Sequence, residues 1–425
     1  MNKTLKESRE MKESGIEWIG QIPKTWEVIP NKYVMKKIKD ICIRYDNEDI
    51  LSLTMNGVII RDLDNPTGKM PTTFDGYQRL SKGNLLMCLF DIDVTPRCIG
   101  LINNNGLTSP AYSQFTLKNG NIAKYYYYYY LNLDFTKELL HLSKNLRNSL
   151  TENLLGAVKV PRPPIHEQQA IANYLDKQVG KIDELIVEQK QAIEKWKEYK
   201  QSLITETVTK GLNPDAEMKD SEIEWIGEIP KDWGLKKLKY LFVIKKEIAG
   251  KSGFDILSVT QHGIKIKDIT TNEGQISSDY SKYQLVDEGD FVMNHMDLLT
   301  GWVDYSRYDG VTSPDYRVFK LKDYSKCSPK YYLYIMQMCY KNKIFYSLGQ
   351  GVSNLGRWRL QTDKFLNFFV PTPSLVEQQE IVDYLDNECL KIDQIIEQKQ
   401  VLIKQLEEYK QSLIYECVTG KRCVL

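Results

Sequence analysis

The chain has 425 residues, 27% of them charged and 42% hydrophobic, with a net charge of +1, a balance typical of folded globular proteins and not of disordered or fibrous ones. No apolar run approaches the roughly 18 to 20 residues that a membrane span requires, and residues 1–12 lack the apolar centre of a signal peptide. The eight cysteines form no CxxC pair and no Cys/His cluster, which argues against a zinc site or disulfide framework and predicts a reducing, cytoplasmic setting.

Taken in order, the chain repeats itself. The turn-rich stretch Ile16-Glu17-Trp18-Ile19-Gly20-x-Ile22-Pro23-Lys24-x-Trp26 returns as Ile223-Glu224-Trp225-Ile226-Gly227-x-Ile229-Pro230-Lys231-x-Trp233. Indoles carry one donor and no titratable group, so these Trp residues are expected to be pinned onto a core. Ile50-Leu51-Ser52 with Gly57 and Asp62 parallels Ile256-Leu257-Ser258 with Gly263 and Asp268; Tyr77-Gln78, Gly83 and Met87 parallel Tyr283-Gln284, Gly289 and Met293. Thr108-Ser109-Pro110-x-Tyr112 likewise parallels Thr312-Ser313-Pro314-x-Tyr316. Short apolar runs at 58–60, 85–90, 115–117, 291–293 and 318–321, separated by Gly, Asn and Asp, predict strands of a mixed β structure with one or two helices per region. The six consecutive tyrosines at 125–130 suggest base stacking. The matching stretch, however, carries Leu333 and Ile335, which replace a core face and not a stacking one, so the run is read as a buried helix.

From residue 160 the repeat sharpens and keeps an offset of 210. Val160-Pro161-x-Pro163 returns as Val370-Pro371-x-Pro373, Glu167-Gln168-Gln169 as Glu377-Gln378-Gln379, and Tyr174-Leu175-Asp176 as Tyr384-Leu385-Asp386. Lys181-Ile182-Asp183 matches Lys391-Ile392-Asp393, and YKQSLI at 199–204 is identical to 409–414. This is a tandem duplication. Ile171, Leu175, Ile182, Leu185, Ala192, Trp196, Tyr199 and Leu203 recur in steps of three and four, as do Ile381, Leu385, Ile392, Ile395, Leu402, Leu406, Tyr409 and Leu413, which predicts two helices with a coiled-coil seam. A helix of about 45 residues is ~65 Å long and apolar on one stripe only, so it needs a partner, and the other copy supplies one. Gln189 and Lys399 occupy equivalent seam positions, where polar residues set register; they are expected near the centre of an antiparallel pair related by a pseudo-twofold axis.

Residues 1–163 hold 22 Lys/Arg against 17 Asp/Glu and residues 213–373 hold 22 against 21, while 164–212 hold 7 against 8 and 374–425 hold 6 against 10. A polyanion would therefore bind the variable regions and not the helices. Chemistry is harder to find. No Asn/Asp-Pro-Pro-aromatic methyltransferase motif, dinucleotide fingerprint or phosphate loop is present. Pro214-Asp215-Ala216-Glu217-Met218-Lys219 bears a superficial likeness to an acidic-plus-Lys nuclease motif but reads as a linker, and the four histidines, 141, 166, 262 and 295, form no triad or ligand set. Recognition is favoured over reaction.

The duplicated residues together resemble the DNA specificity subunit of type I restriction-modification systems. The resemblance rests on residues 16–26 and 223–233, the Pro-x-Pro and Glu-Gln-Gln motifs at 161–169 and 371–379, the Tyr-Leu-Asp and Lys-Ile-Asp helices, and Lys210-Gly211-Leu212-Asn213-Pro214. The second copy departs in ending Gly420-Lys421-Arg422. The resemblance implies an α+β chain with two mixed α/β target-recognition domains, 1–163 and 213–373, separated by long antiparallel spacer helices, 164–212 and 374–425. It implies a chain without catalysis or cofactor of its own, reading a bipartite sequence in double-stranded DNA. Two methylation subunits using S-adenosylmethionine on adenine N6, and restriction subunits using ATP and Mg2+, would be its partners, with no membrane involved. A stand-alone DNA-modifying enzyme and a coiled-coil scaffold without nucleic acid are the competing readings.

Base and phosphate contacts are sought among polar and basic residues in loops that differ between the halves. In the first half these are Arg61, Lys69, Arg79, Arg97, Asn103, Asn104, Ser109, Tyr112, Gln114 and Arg147. In the second they are Gln261, His262, Lys265, Lys267, Asn294, His295, Arg307, Tyr308, Ser313, Tyr316, Arg317 and Arg357. Arg147 and Arg357 match at the 210 offset, which suits phosphate contact better than base discrimination.

Overall fold

The computed structural model describes residues 9–66, 70–143, 148–268, 277, 279–351 and 358–424. Two compact units emerge: Met1–Lys190 with Gln400–Leu425, and Gln191–Lys399. In the first unit a four-stranded antiparallel sheet runs in the order Met35–Ile38, Ser113–Leu117, Leu85–Met87, Ile99–Leu101. In the second the same order is built by Phe242–Lys245, Arg317–Leu321, Phe291–Met293 and Val303–Tyr305. Each unit adds four two-stranded ribbons, among them the hairpins Leu51–Thr54 with Gly57–Ile60 and Leu257–Thr260 with Gly263–Ile266. The short apolar runs expected as strands are strands or flank them.

The tyrosine run is helical. Ala123–Thr136 covers it, with five of its six rings buried, and Pro329–Lys341 is its counterpart. Two of the hydroxyls explain why Tyr persists at matching positions while its neighbours become Leu and Ile. Tyr125 donates to the Val418 carbonyl at 2.9 Å, and Tyr331 to the Val208 carbonyl at 3.0 Å. Tyr128 and Tyr334 donate to Asp176 and Asp386 at 2.9 and 2.8 Å. Burial holds the Tyr125 and Tyr331 phenols well above their usual range, so they stay neutral donors.

The repeated motifs around the start of each long helix form one bracket. Trp26, fully buried, donates its Nε1 to Glu167 at 2.9 Å, and Trp233 donates to Glu377 at 3.1 Å. Buried Gln168 donates to the Pro163 carbonyl at 2.8 Å and accepts from the Ile122 amide at 2.9 Å. Gln378 does the same with the Pro373 carbonyl and Ser328 amide, at 2.9 and 2.8 Å. An unpaired buried amide or indole N–H costs about 1–3 kcal/mol, which is the physical reason for Glu-Gln at these positions.

The long helices are Ile165–Lys210 and Leu375–Val418. Within the first unit Asp183 pairs with Lys410 at 2.6 Å, while Tyr174, nine residues earlier, meets Arg422 beyond the end of the other helix; the two segments run antiparallel there. In the second unit Lys200 meets Asp393 at 2.7 Å and the antiparallel sense is the same, with Tyr384 beside residues 206–210. The seam differs from the sequence expectation in phase. Leu175, Ile182, Leu385, Ile392 and Leu413 are buried, and Gln189, Trp196, Leu203, Lys399 and Leu406 are half-buried. Leu185, Tyr199, Leu402 and Tyr409 instead lie 44%, 53%, 40% and 51% exposed, while Val179, Ile186 and Ile193 take the inner stripe. The buried positions 175, 179, 182, 186 and 193 still advance in steps of four and three, so the heptad period is kept; one row of the seam, at 179, 186 and 193, lies one residue along from the expected row at 185, 192 and 199.

Among the described residues no helix is long and apolar enough to cross a membrane, and no cluster of three or more His, Cys, Asp or Glu residues could hold a metal ion. All eight cysteines are free.

Candidate nucleic-acid interface

Each unit places its hairpin, its Thr-Ser-Pro-x-Tyr turn and the loop after its central strand on a shared frame. At the hairpin tip Thr54 Oγ1 donates to the Gly57 carbonyl at 3.0 Å and accepts from the Asn56 amide at 3.1 Å. Thr260 repeats both bonds with Gly263 and His262, at 2.9 and 3.1 Å. Gly57 and Gly263 have φ of 90° and 98°, a conformation that side chains other than Gly resist. Thr and Gly therefore fix the turn, and the two residues between them are free to vary: Met55-Asn56 in one unit, Gln261-His262 in the other, all exposed. The candidates Gln261 and His262 sit where a reader would sit. Their counterparts, apolar Met55 and polar Asn56, are not among the sequence candidates; the Thr-x-x-Gly frame common to both hairpins is the signal that finds them.

Arg61 and Lys267 are likewise equivalent, each with its amide bonded at 2.7 Å to the carbonyl of Ile50 or Ile256. Ser109 and Tyr112 are held by the buried Gln78 side chain, which donates to their carbonyls at 3.1 and 2.7 Å; Gln284 holds Ser313 and Tyr316 at 3.0 and 2.7 Å. In the second unit these parts enclose an open groove of about 740 Å³. Lys265, Lys267, Asn294, Ser313 and Tyr316 line it, together with Ser258, Thr260 and Tyr280, which the sequence reading passed over. Asp268, Asp297 and Asp315 also reach it, so the groove is polar and of mixed charge. Donors and acceptors on one concave wall suit base edges better than a bare phosphate row.

Several candidates occupy structural places instead. Gln114 is fully buried: its Oε1 accepts from the Ser81 amide at 2.8 Å and Asn84 at 3.0 Å, and its Nε2 donates to the Arg79 carbonyl at 2.9 Å. Arg79 is paired with Glu48 at 2.9 Å, a hydrogen bond that raises its pKa. The Arg97 side chain is 12% exposed, lies 4.0 Å from Asp134 and sits over the Phe135 ring. Arg317 is 4% exposed and donates to the Leu360 carbonyl at 3.0 Å and Thr362 Oγ1 at 3.3 Å; burial pulls its pKa down to about 10, so it remains charged. His295 is 6% exposed, and burial, then the charges of Arg317 and Arg359, push it down to about 3, so it is neutral near pH 7. Sequence could not separate these from contact residues because buried and exposed Arg look alike without partners. Asn103, Asn104, Arg307 and Tyr308 are exposed on turns outside the groove. Lys69, Arg147 and Arg357 lie outside the described residues.

The family model described as the type I restriction modification DNA specificity domain matches residues 99–195 and 230–407. The MjaVIII specificity subunit of a type I restriction enzyme from Methanocaldococcus jannaschii is 27% identical over 62% of this chain and 62% of its own length. A second protein of that organism, described as the putative type I restriction enzyme MjaX specificity subunit, is 24% identical over 95% of each chain. Among solved structures, a chain from work on complex assembly and conformational transition of the type I R-M system superposes with a TM-score of 0.68 at 13% identity, covering 94% of this chain and 99% of that one. The HsdS subunit from Thermoanaerobacter tengcongensis gives 0.53 at 13% identity over 94% and 98%. At such identities the structures speak for the fold alone.

Proposed function

We propose that this chain, which belongs to the type I restriction modification DNA specificity family, is the subunit that selects the DNA target of such a system and brings catalytic partners to it. The observation that carries this reading is the pair of hairpins: identical Thr and Gly framing, identical backbone bonds, and different side chains at the tips. Two readers of one architecture with different tips suit a target made of two unlike halves. Within each half, Gln261, His262, Lys265, Lys267 and Asn294, or Met55, Asn56 and Arg61, are the residues to contact bases, while the buried Gln78 and Gln284 hold the turn between them.

The two long helices are proposed as the spacer that fixes the distance between readers, with Gln189 and Lys399 near a pseudo-twofold axis and the recognition domains at 1–163 and 213–373. Double-stranded DNA, two methylation subunits and restriction subunits are the proposed partners. S-adenosylmethionine, ATP and Mg2+ belong to those partners in this reading, and the chain itself is not an enzyme. The exposed Tyr199 of one helix and Tyr409 of the other, each beside a half-buried apolar residue, Trp196 or Leu406, recur at the 210 offset, so they can present one surface twice, as two copies of a methylation subunit would require. Mapping methylated adenines in a host carrying the system, with and without Gln261→Ala and His262→Ala, tests the reading. One half-site should relax and the other stay intact; an unchanged map would refute the assignment of the hairpin tip.

A further inference from the structure

The loop at residues 294–298 forms one wall of the groove through Asn294, Met296 and Asp297. Behind it, the Tyr340 hydroxyl donates to the Asn294 carbonyl at 2.8 Å, the Leu360 amide to the His295 carbonyl at 2.9 Å, and the Leu298 amide to the Trp358 carbonyl at 3.1 Å. Arg317 then holds residues 358–362 in place: its Nη2 donates to the Leu360 carbonyl and Thr362 Oγ1, and its guanidinium lies 4.6 Å from the centre of the Phe365 ring. Gly301 closes the other side, where a Cβ would fall 2.0 Å from the Asp297 carbonyl oxygen and 2.7 Å from that of Asn294.

Part of this clasp is common to both units and part is not. The first unit keeps the two backbone bonds, Leu150 amide to Leu89 carbonyl at 2.8 Å and Ile92 amide to Asn148 carbonyl at 3.3 Å. Where Tyr340 and Arg317 stand in the second unit, the matching positions of the first are Asp134, bonded to the Cys98 amide at 2.9 Å, and Ser113. The shared bonds belong to the fold; the side-chain ties differ as the reading loops differ. A buried guanidinium with no ion pair to a carboxylate among the described residues is costly to keep, and the hydrogen bonds of Arg317 tie down the segment on which the loop rests.

We infer that Tyr340 and Arg317 are positioning residues for DNA discrimination: through the clasp they set where Asn294 meets a base edge, without touching DNA themselves. This rests on the groove being the reading surface of the second unit. Placement matters because a hydrogen-bonding pair specifies a base only within a few tenths of an ångström and a narrow range of angle.

The experiment uses the full chain assembled with its methylation subunits and a panel of duplexes in which each base pair of the mapped half-site is substituted in turn. Tyr340→Phe, which keeps the buried ring and loses one bond, should lower discrimination at a single base pair about tenfold while leaving binding to non-target DNA unchanged and lowering the melting temperature by no more than a few degrees. Arg317→Met should do the same more strongly, and Arg317→Lys should restore part of it. In an Asn294→Ala background, where that base is no longer read, Tyr340→Phe should add nothing. If Asn294→Ala relaxes one position and Tyr340→Phe does not, or if Tyr340→Phe weakens all duplexes alike, the positioning role is overturned. If Asn294→Ala and Lys265→Ala both leave the panel unchanged, the groove is not the reading surface and the inference falls with it.

Discussion

Lys410 pairs with Asp183 at 2.6 Å, and the residues 210 positions away from each, Lys200 and Asp393, pair at 2.7 Å with the helices exchanged. A lysine of one copy meets the aspartate of the other in both units. The pairs are partly solvent-exposed, so each contributes at most about 1 kcal/mol; their value lies in rejecting a slipped or parallel register. Lys410→Glu should lower the melting temperature slightly, and Asp183→Lys added to it should recover the loss, as read by thermal unfolding at low salt. Failure of the reversed pair to recover stability would separate the ion pair from the register.

Glu167 is the acceptor for Trp26 and also for Arg9, at 2.9 and 2.7 Å, and is 5% exposed. Glu167→Leu removes the acceptor from a fully buried indole and strands a guanidinium beside it. A loss of roughly 2–4 kcal/mol is expected from the unpaired groups, while Glu167→Gln keeps one acceptor and should cost less. Urea titration followed by tryptophan emission measures both, and equal losses would place the effect in packing and not in the bond.

How far the sequence led depends on what each residue type can do alone. The duplication, the strands, the helical tyrosine run and the bracketing Trp residues were legible because periodicity and matched positions report burial directly. The inner stripe of the long helices was not: Leu185 and Ile186, or Ala192 and Ile193, are adjacent apolar residues, and only packing decides which turns inward. The reading residues were legible as loops but not individually. Gln114 and Arg317 are polar residues spent on holding loops and His295 is simply buried, and nothing in a polar letter distinguishes either from contact with DNA.

His295 gives a pH dependence with a definite sign. Its pKa falls from 6.5 to about 3 on folding, chiefly through burial and then through Arg317 and Arg359. The unfolded chain therefore binds the proton more readily, so this site contributes no pH dependence above pH 6.5 and destabilises the fold as pH drops below it, by roughly 1.4 kcal/mol per unit. His295→Gln should flatten that part of the acid-unfolding curve between about pH 6 and pH 4 relative to the parent chain. Parallel curves for the two proteins would mean that the imidazole is already protonated in the fold.

The spacer reading makes a prediction in base pairs. Four residues inserted into each long helix, after Gln189 and after Lys399, add ~6 Å and close to one full turn, so the apolar stripes stay nearly in phase and each ion pair keeps its partner. At ~3.4 Å per base pair the methylated half-sites should move apart by about two base pairs. Inserting into one helix alone should instead break the pairing of Lys200 with Asp393 or of Lys410 with Asp183 and lower stability without a defined new spacing. Methylated-adenine mapping reads the first outcome and thermal unfolding the second. An unchanged spacing with both insertions in place would mean that something other than the helix pair, such as the docked partner subunits, sets the distance between the half-sites.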